Sequence, residues 1–337
     1  MRFQRDITRR VVIYLLSCAA VLIASPWTSL AQQRGGASAP PSPLKGAGDK
    51  TIAISTDLVS LQVSVTDKEG RFAPGLDRSA FAVYEDGVRQ EISFFSEHDD
   101  PAAVGVVLDV SASMTGAKIE RAREALRLFI QTSHEEDEYF LIGFNQYPQL
   151  LLEEAHGSEA MAARISGIEP HGATALYDAV AFGLGEIKRS RLQKRALIVI
   201  SDGEDNRSRR GLGDVRRMLR ESDVTVYTVL TGPLLPRNNA GMVMDELASA
   251  SGGRSYFPGN AEKMSEAFEQ IALELRRQYS IGYTPSNFAT DGKWRRVEVK
   301  VTPPPGFPRL VARNRKGYYA LGHALGDRGS AAALSPP

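Results

Sequence analysis

Val104–Leu108 and Ala196–Ile200 are continuous runs of small and apolar residues of strand length, and each is closed within two residues by an aspartate, Asp109 and Asp202. A strand without polar positions must be covered on both faces. Tyr139–Phe144 and Val224–Leu230 read the same way. Helical spacing falls between these strands. Ile119, Ala122, Leu126, Phe129 and Ile130 lie on one stripe, and Leu176–Ile187, Val215–Leu219, Met242–Ala250 and Met264–Leu275 are further helices. Buried strands alternating with helices predict an α/β fold, a doubly wound, mostly parallel sheet, over residues 99–278.

The flanks follow a different rule. Val59, Leu61, Val63 and Val65 alternate with Ser60, Gln62, Ser64 and Thr66, and Asp67-Lys68-Glu69-Gly70 follows as a turn. Phe81–Tyr84 and Ile92–Phe95 are two more strands, joined by a turn at Glu85-Asp86-Gly87. Period two returns at Tyr279–Tyr283 and Val297–Val301, Pro303–Gly306 forces a break, and Leu310–Tyr319 supplies at least one further strand. Strand sets this small seldom stand alone. Residues 51–98 and 279–320 are therefore expected to pair into one smaller β-rich domain, with the α/β domain inserted between them.

Residues 1–31 read as an export signal. Arg2, Arg5, Arg9 and Arg10 precede the apolar run Val11–Ala24, which is short of the roughly 20 residues that span a bilayer, and Ser29-Leu30-Ala31 offers a cleavage site. Three alternatives stay open: a lipobox at Leu15-Leu16-Ser17-Cys18, a twin-arginine signal at Arg9-Arg10, and an uncleaved anchor. A lipidated or uncleaved N-terminus is the only expected link to a membrane. The destination is exported: periplasm, cell surface or medium. Residues 32–50, rich in Gly, Pro, Ser, Ala and Gln, read as a flexible linker, and 321–337 as a disordered tail. Cys18 is the only cysteine in the 337 residues. Cleavage after Ala31 removes it, which excludes disulfides, thiolate–zinc sites and cysteine catalysis from the mature chain.

Net charge is +1, which argues against nucleic acid as a partner. Arg207, Arg209, Arg210, Arg216 and Arg217 read as a solvated loop and helix face. Enzyme signatures are missing: no Walker A loop, no Gly-x-Ser-x-Gly elbow and no Ser-x-x-Lys pair at a helix start. A phosphatase with Asp109 as nucleophile needs an acid two residues on, where Ser111 stands. The chain is read as a non-enzyme.

The chemistry gathers at strand ends, where open α/β sheets bind ligands. Asp109-Val110-Ser111-Ala112-Ser113 follows the first buried strand, Thr174 sits at the start of a helix, and Asp202 follows Ala196–Ile200. If the two strands are neighbours, the carboxylates converge. Two carboxylates and three hydroxyls form an all-oxygen set suited to a hard cation, Mg²⁺ first and Mn²⁺ or Ca²⁺ as alternatives. Two carboxylates leave such an ion under-neutralised, so a protein partner offering an Asp or Glu carboxylate fits the vacancy.

Asp109-x-Ser111-x-Ser113, Thr174 and Asp202-Gly203 resemble the metal-ion-dependent adhesion site (MIDAS) of von Willebrand factor A domains, over about residues 100–280. The whole chain resembles secreted acidobacterial proteins related to that family. The resemblance implies metal at Asp109, Ser111, Ser113, Thr174 and Asp202. Ser111 and Ser113 would bind directly, Thr174 directly or through water, and both aspartates largely through water. It implies a metal-dependent protein-binding module for adhesion or assembly. A structural component of an envelope complex, with a mainly structural or absent metal, is the alternative. Asp205 reads as a helix cap or surface turn, and Asp178 as a helix-entry residue. His134, His156 and His171 show no metal spacing, although His171 lies close to Thr174. Asn206-Arg207-Ser208 is a chance glycosylation sequon.

Overall fold

The computed structural model describes residues 58–131, 134, 136–155, 158–232 and 239–320. The expected export signal, linker and C-terminal tail lie outside them, as does His156. Among the described residues no helix is long and apolar enough to cross a membrane.

In chain order the elements are β1 (Val59–Thr66), β2 (Phe81–Glu85), β3 (Val88–Gln90), β4 (Ile92–Ser96), β5 (Ala102–Asp109), α1 (Ala117–Gln131), β6 (Glu138–Phe144) and β7 (Pro148–Ala155). Then come α2 (Ser158–Ser166), α3 (Leu176–Glu186), β8 (Lys194–Ser201), α4 (Leu212–Glu221), β9 (Thr225–Leu230), α5 (Ala240–Ser251) and β10 (Ser255–Tyr256). The chain closes with α6 (Ala261–Arg276), β11 (Tyr279–Tyr283), β12 (Trp294–Val301), β13 (Val311–Arg313) and β14 (Gly317–Tyr319).

The central sheet has the order β10-β9-β8-β5-β6-β7. All its pairings are parallel except β6 with β7. Because side chains alternate along a strand, β5 feeds two cores. Val104, Val106 and Leu108 pack with Ile119, Leu126 and Phe129 of α1 and Phe268 and Ile271 of α6. Ala103 and Val107 pack on the other face with Leu176 and Val180 of α3, Val215 of α4 and Leu247 of α5. The strands at the centre of the sheet are thus covered on both sides, as their apolar runs require, and the α/β fold is doubly wound and mostly parallel.

Flanking residues build two antiparallel sheets, β13-β1-β11-β4 and β14-β12-β2-β3. Each takes strands from both sides of the α/β layer: β1 pairs with β11, and β2 with β12. A shared core of Leu61, Val63, Phe81, Val83, Tyr279, Ile281 and Val297 draws on both sheets. Glu85 closes β2, so the turn predicted at Glu85-Asp86-Gly87 is narrower. Asp86 (φ 48°) and Gly87 (φ 83°) alone reverse the chain, and β3 follows directly. Two consecutive positive φ angles suit a tight hairpin.

A buried polar knot ties the layers. Glu274 of α6 is 0 % exposed and accepts from Ser64 Oγ of β1 at 2.8 Å and from Arg313 of β13. Gln278 Nε2, just past α6, donates to Tyr227 Oη of β9 at 3.1 Å. A second knot lies inside the flanking sheets. The hydroxyls of Tyr283 and Tyr318 both donate to Glu85 Oε2 at 2.8 Å. Burial, then the Glu85 carboxylate, holds both phenols well above their ordinary 10.0. A raised folded value means that the stabilisation is complete below pH 10 and is lost as pH rises through the folded values. Urea midpoints should therefore hold from pH 8 to about 10 and fall above it, and Tyr283→Phe should flatten that fall.

Candidate metal site

Three loops at the carboxyl end of the central sheet form the site. β5 and β8 are direct parallel neighbours, with Leu108 opposite Ile200, so Asp109 and Asp202 leave adjacent strands in the same direction. Backbone bonds lace the loops together. His171 N donates to Val110 O at 2.8 Å and Ala112 N to Gly172 O at 3.0 Å. Asn206 N and Arg207 N both donate to Thr174 O at 3.0 Å, and Asn206 Oδ1 accepts from Thr174 N at 3.0 Å. The 109–113, 171–175 and 202–207 segments are thereby held as one surface, which brings all five expected residues to one end of the sheet.

Each residue is placed by specific contacts. Asp109 is 0 % exposed. Its Oδ1 accepts from Ser111 N at 2.8 Å and its Oδ2 from Ser201 Oγ at 2.6 Å. Burial pushes its carboxyl above the usual range, against the pull of the Ser111 and Ser201 hydrogen bonds. Ser111 Oγ and Ser113 Oγ lie 3.1 Å apart and share a hydrogen bond. A short 3-10 turn, Ala112–Met114, follows Ser111, and Ser113 within it is exposed. Thr174 is buried just before α3.

Asp202 is 8 % exposed. Its Oδ2 faces Lys118 Nζ at 3.0 Å. Its Oδ1 is buried and has no hydrogen-bond partner among the described residues. A buried polar atom without a partner is costly. Gly203 turns the chain after it at φ 79°, where a Cβ would stand 2.8 Å from that of Ala240, so this position admits only glycine without rearrangement.

The donor set fits a hard cation. Three hydroxyls and two carboxylates supply oxygen alone, and Asp202 Oδ1 is a buried acceptor without a hydrogen-bond partner among the described residues. Among the described residues no group of three or more His, Cys, Asp or Glu could hold a metal ion. Any metal here would therefore draw on the serine and threonine hydroxyls as well as the two carboxylates.

The neighbouring polar residues act on the scaffold. Asp205 Oδ2 accepts from Tyr177 N at 3.0 Å and from Ser208 Oγ at 2.6 Å, capping the start of α3 from another loop. Asp178 accepts from Arg209 N at 2.9 Å and pairs with Arg210 at 2.9 Å. Arg216 pairs with Glu246 and Arg217 with Asp214, so much of the expected basic face is neutralised. His171 Nε2 lies 3.2 Å from Asn145 Nδ2 on the rim. Sequence reasoning missed Lys118, Ser201 and Asn206. Lys118 left one signal, a cation two residues into the helix that follows the serine loop.

Residues 104–204 match the sequence model of the family described as von Willebrand factor type A domain. The chain is 26% identical over 199 residues to an uncharacterized protein of Synechocystis sp. (strain ATCC 27184 / PCC 6803 / Kazusa), covering 56% of this chain and 44% of that one. It thus spans less than half the length of that relative. Solved structures similar in part include the following three. An aerotolerance-related membrane protein from Bacteroides fragilis NCTC 9343 is 20% identical, with a TM-score of 0.43 over 52% of this chain and 98% of that one. Proximal thread matrix protein 1 from the mussel byssus, with a zinc-occupied MIDAS motif, is 17% identical, with a TM-score of 0.46 over 57% and 49%. A von Willebrand factor type A protein from Catenulispora acidiphila is 13% identical, with a TM-score of 0.47 over 79% and 74%.

Proposed function

We propose, from the premise that residues 104–204 form a von Willebrand factor type A domain, that the chain is an exported, metal-dependent protein-binding module for adhesion or assembly. Its five-residue Mg²⁺ site grips an acidic side chain of a partner. The observation that carries this is Asp202 Oδ1, buried without a partner among the described residues, beside loops that gather three hydroxyls and a second carboxylate. Asp109, Ser111, Ser113, Thr174 and Asp202 would hold the ion. When bound, it supplies a hard, under-neutralised position that a carboxylate oxygen can fill.

The residues divide the work. Asp109 and Asp202 lower the cost of placing a cation at the sheet end. Neutral Ser111, Ser113 and Thr174 fix its place without quenching its charge. The backbone bonds among the three loops keep those oxygens in register, so little ordering remains for the moment of binding. The alternative, a structural component with a mainly structural or absent metal, draws on the Lys118 contact, which already gives Asp202 a positive neighbour.

Calorimetric titration should show one Mg²⁺ or Mn²⁺ per chain at or below millimolar concentration. Ser113→Ala and Thr174→Ala should weaken it by about tenfold or more, the order lost with one such contact. Capture of partners from an envelope fraction should depend on Mg²⁺ and vanish in EDTA. No cation uptake, or EDTA-independent capture, would refute the reading.

A further inference from the structure

Lys118 lies near the start of α1, which follows the Ser111–Ser113 loop across Gly116. Its side chain is 29% exposed and its ammonium sits 3.0 Å from Asp202 Oδ2, whose own side chain is 8% exposed. Asp202 thus has one oxygen held by a cation and one buried oxygen held by nothing among the described residues. Two things follow physically. Without metal, the ammonium relieves a carboxylate that burial would otherwise leave unbalanced. With metal, a divalent charge held by the three hydroxyls and Asp202 would stand close to that ammonium, beside the buried Asp109 and Asp202 carboxylates, where reduced screening makes like charges repel.

We infer that Lys118 is a built-in competitor for the metal site: it neutralises Asp202 when the site lacks a metal and sets the cation concentration at which the site loads. The inference rests on the proposed metal-binding reading and deepens it. Being part-exposed on a long flexible stem, the ammonium can swing outward to water while Asp202 stays fixed by its loop. Loading is therefore an exchange, a side-chain cation leaving as a divalent cation enters. The net positive charge that fills the site rises only when divalent cation is abundant enough to outcompete an intramolecular neighbour. Lys118 needs no contact with the ion to do this. It acts through Asp202 and is a positioning residue.

The test is calorimetric titration of the full chain with Mg²⁺ and with Mn²⁺, paired with thermal melting with and without metal. The set is wild type, Lys118→Met, Lys118→Gln, Lys118→Arg and Asp202→Ala. Removing the ammonium should tighten cation binding by about tenfold or more. It should also lower the metal-free melting temperature and enlarge the rise that metal produces. Lys118→Arg keeps the charge and should restore wild-type weakness, which a merely structural lysine would not predict. The glutamine variant covers the case in which methionine disturbs α1. If wild type binds the cation and both neutral variants bind it equally or more weakly, the competitor role is overturned while the metal site stands. If neither wild type nor any Lys118 variant binds a divalent cation, the site reading falls, and this inference with it.

Discussion

Glu274→Ala should destabilise the folded chain by about 3–5 kcal/mol, the usual cost of removing one partner from a buried ion pair. Glu274 is fully buried, and its carboxyl group is met there by Ser64 and Arg313. Arg313 meets it from β13 and Ser64 from β1, so a single carboxylate at the end of α6 joins the α/β layer to a flanking sheet. Arg313 is itself largely buried, and burial alone would push its guanidinium down. With Glu274 gone, that guanidinium keeps its desolvation cost and loses its counter-charge. The effect should therefore exceed that of trimming an apolar neighbour of like size. A second substitution separates pairing from packing. Glu274→Met with Arg313→Met removes both charges and fills the space, and should recover much of the loss. Urea denaturation of Glu274→Met, Arg313→Met and the double variant against wild type gives the coupling directly. A loss below about 1 kcal/mol for Glu274→Ala would mean that water or another cation reaches the carboxylate and that the layers are joined elsewhere.

The parts of the fold that were legible in the sequence are those where one physical rule acts alone. A strand covered on both faces has no polar position, so Val104–Leu108 and Ala196–Ile200 announce themselves, and so does their place at the centre of the sheet. The β7 edge strand and the short α2 went unread. Leu150, Leu151 and Leu152 of β7 sit consecutively between Gln149 and Glu153, a pattern that fits an antiparallel edge as well as a loop. β3 has three residues, too few for any period. At the candidate site, Asp109, Ser111, Ser113, Thr174 and Asp202 were singled out from the sequence because their hydroxyls and carboxylates stand at expected strand ends. Their cation-side neighbour was not. Lys118 reads as an ordinary helix-surface lysine until the order β8-β5 puts Asp202 beside it. Ser201 was hidden for the same reason: only the pairing of β5 with β8 lets its hydroxyl reach Asp109. Asp205 was expected to cap or turn. It does cap, but a helix 28 residues away in sequence from its own loop, which local patterns cannot reveal.

Asp109→Ala should remove divalent-cation binding below detection at millimolar concentration, the largest functional effect expected of any single change. The proposed function gives Asp109 two tasks, and one substitution ends both. The first is electrostatic: half of the site's negative charge disappears, leaving Asp202 shared between Lys118 and any incoming ion. The second is geometric. Asp109 Oδ1 holds Ser111 N and Oδ2 holds Ser201 Oγ, which in turn accepts from Gly203 N at 3.1 Å. A chain of three hydrogen bonds thus runs from the serine loop through Asp109 to the turn after Asp202. Alanine leaves the Ser111 N–H and the Ser201 O–H without their acceptor in a buried place, about 1–3 kcal/mol for each donor left so. Asp109→Asn tells the two tasks apart. The amide can still accept from Ser111 N, so the loop should stay near its position while the charge is gone. If the charge dominates, Asp109→Asn should bind cation as poorly as Asp109→Ala while melting closer to wild type. If geometry dominates, the asparagine variant should keep measurable affinity. Calorimetric titration and thermal melting on the same three proteins decide between these outcomes. Unchanged cation affinity in Asp109→Ala would remove Asp109 from the site altogether.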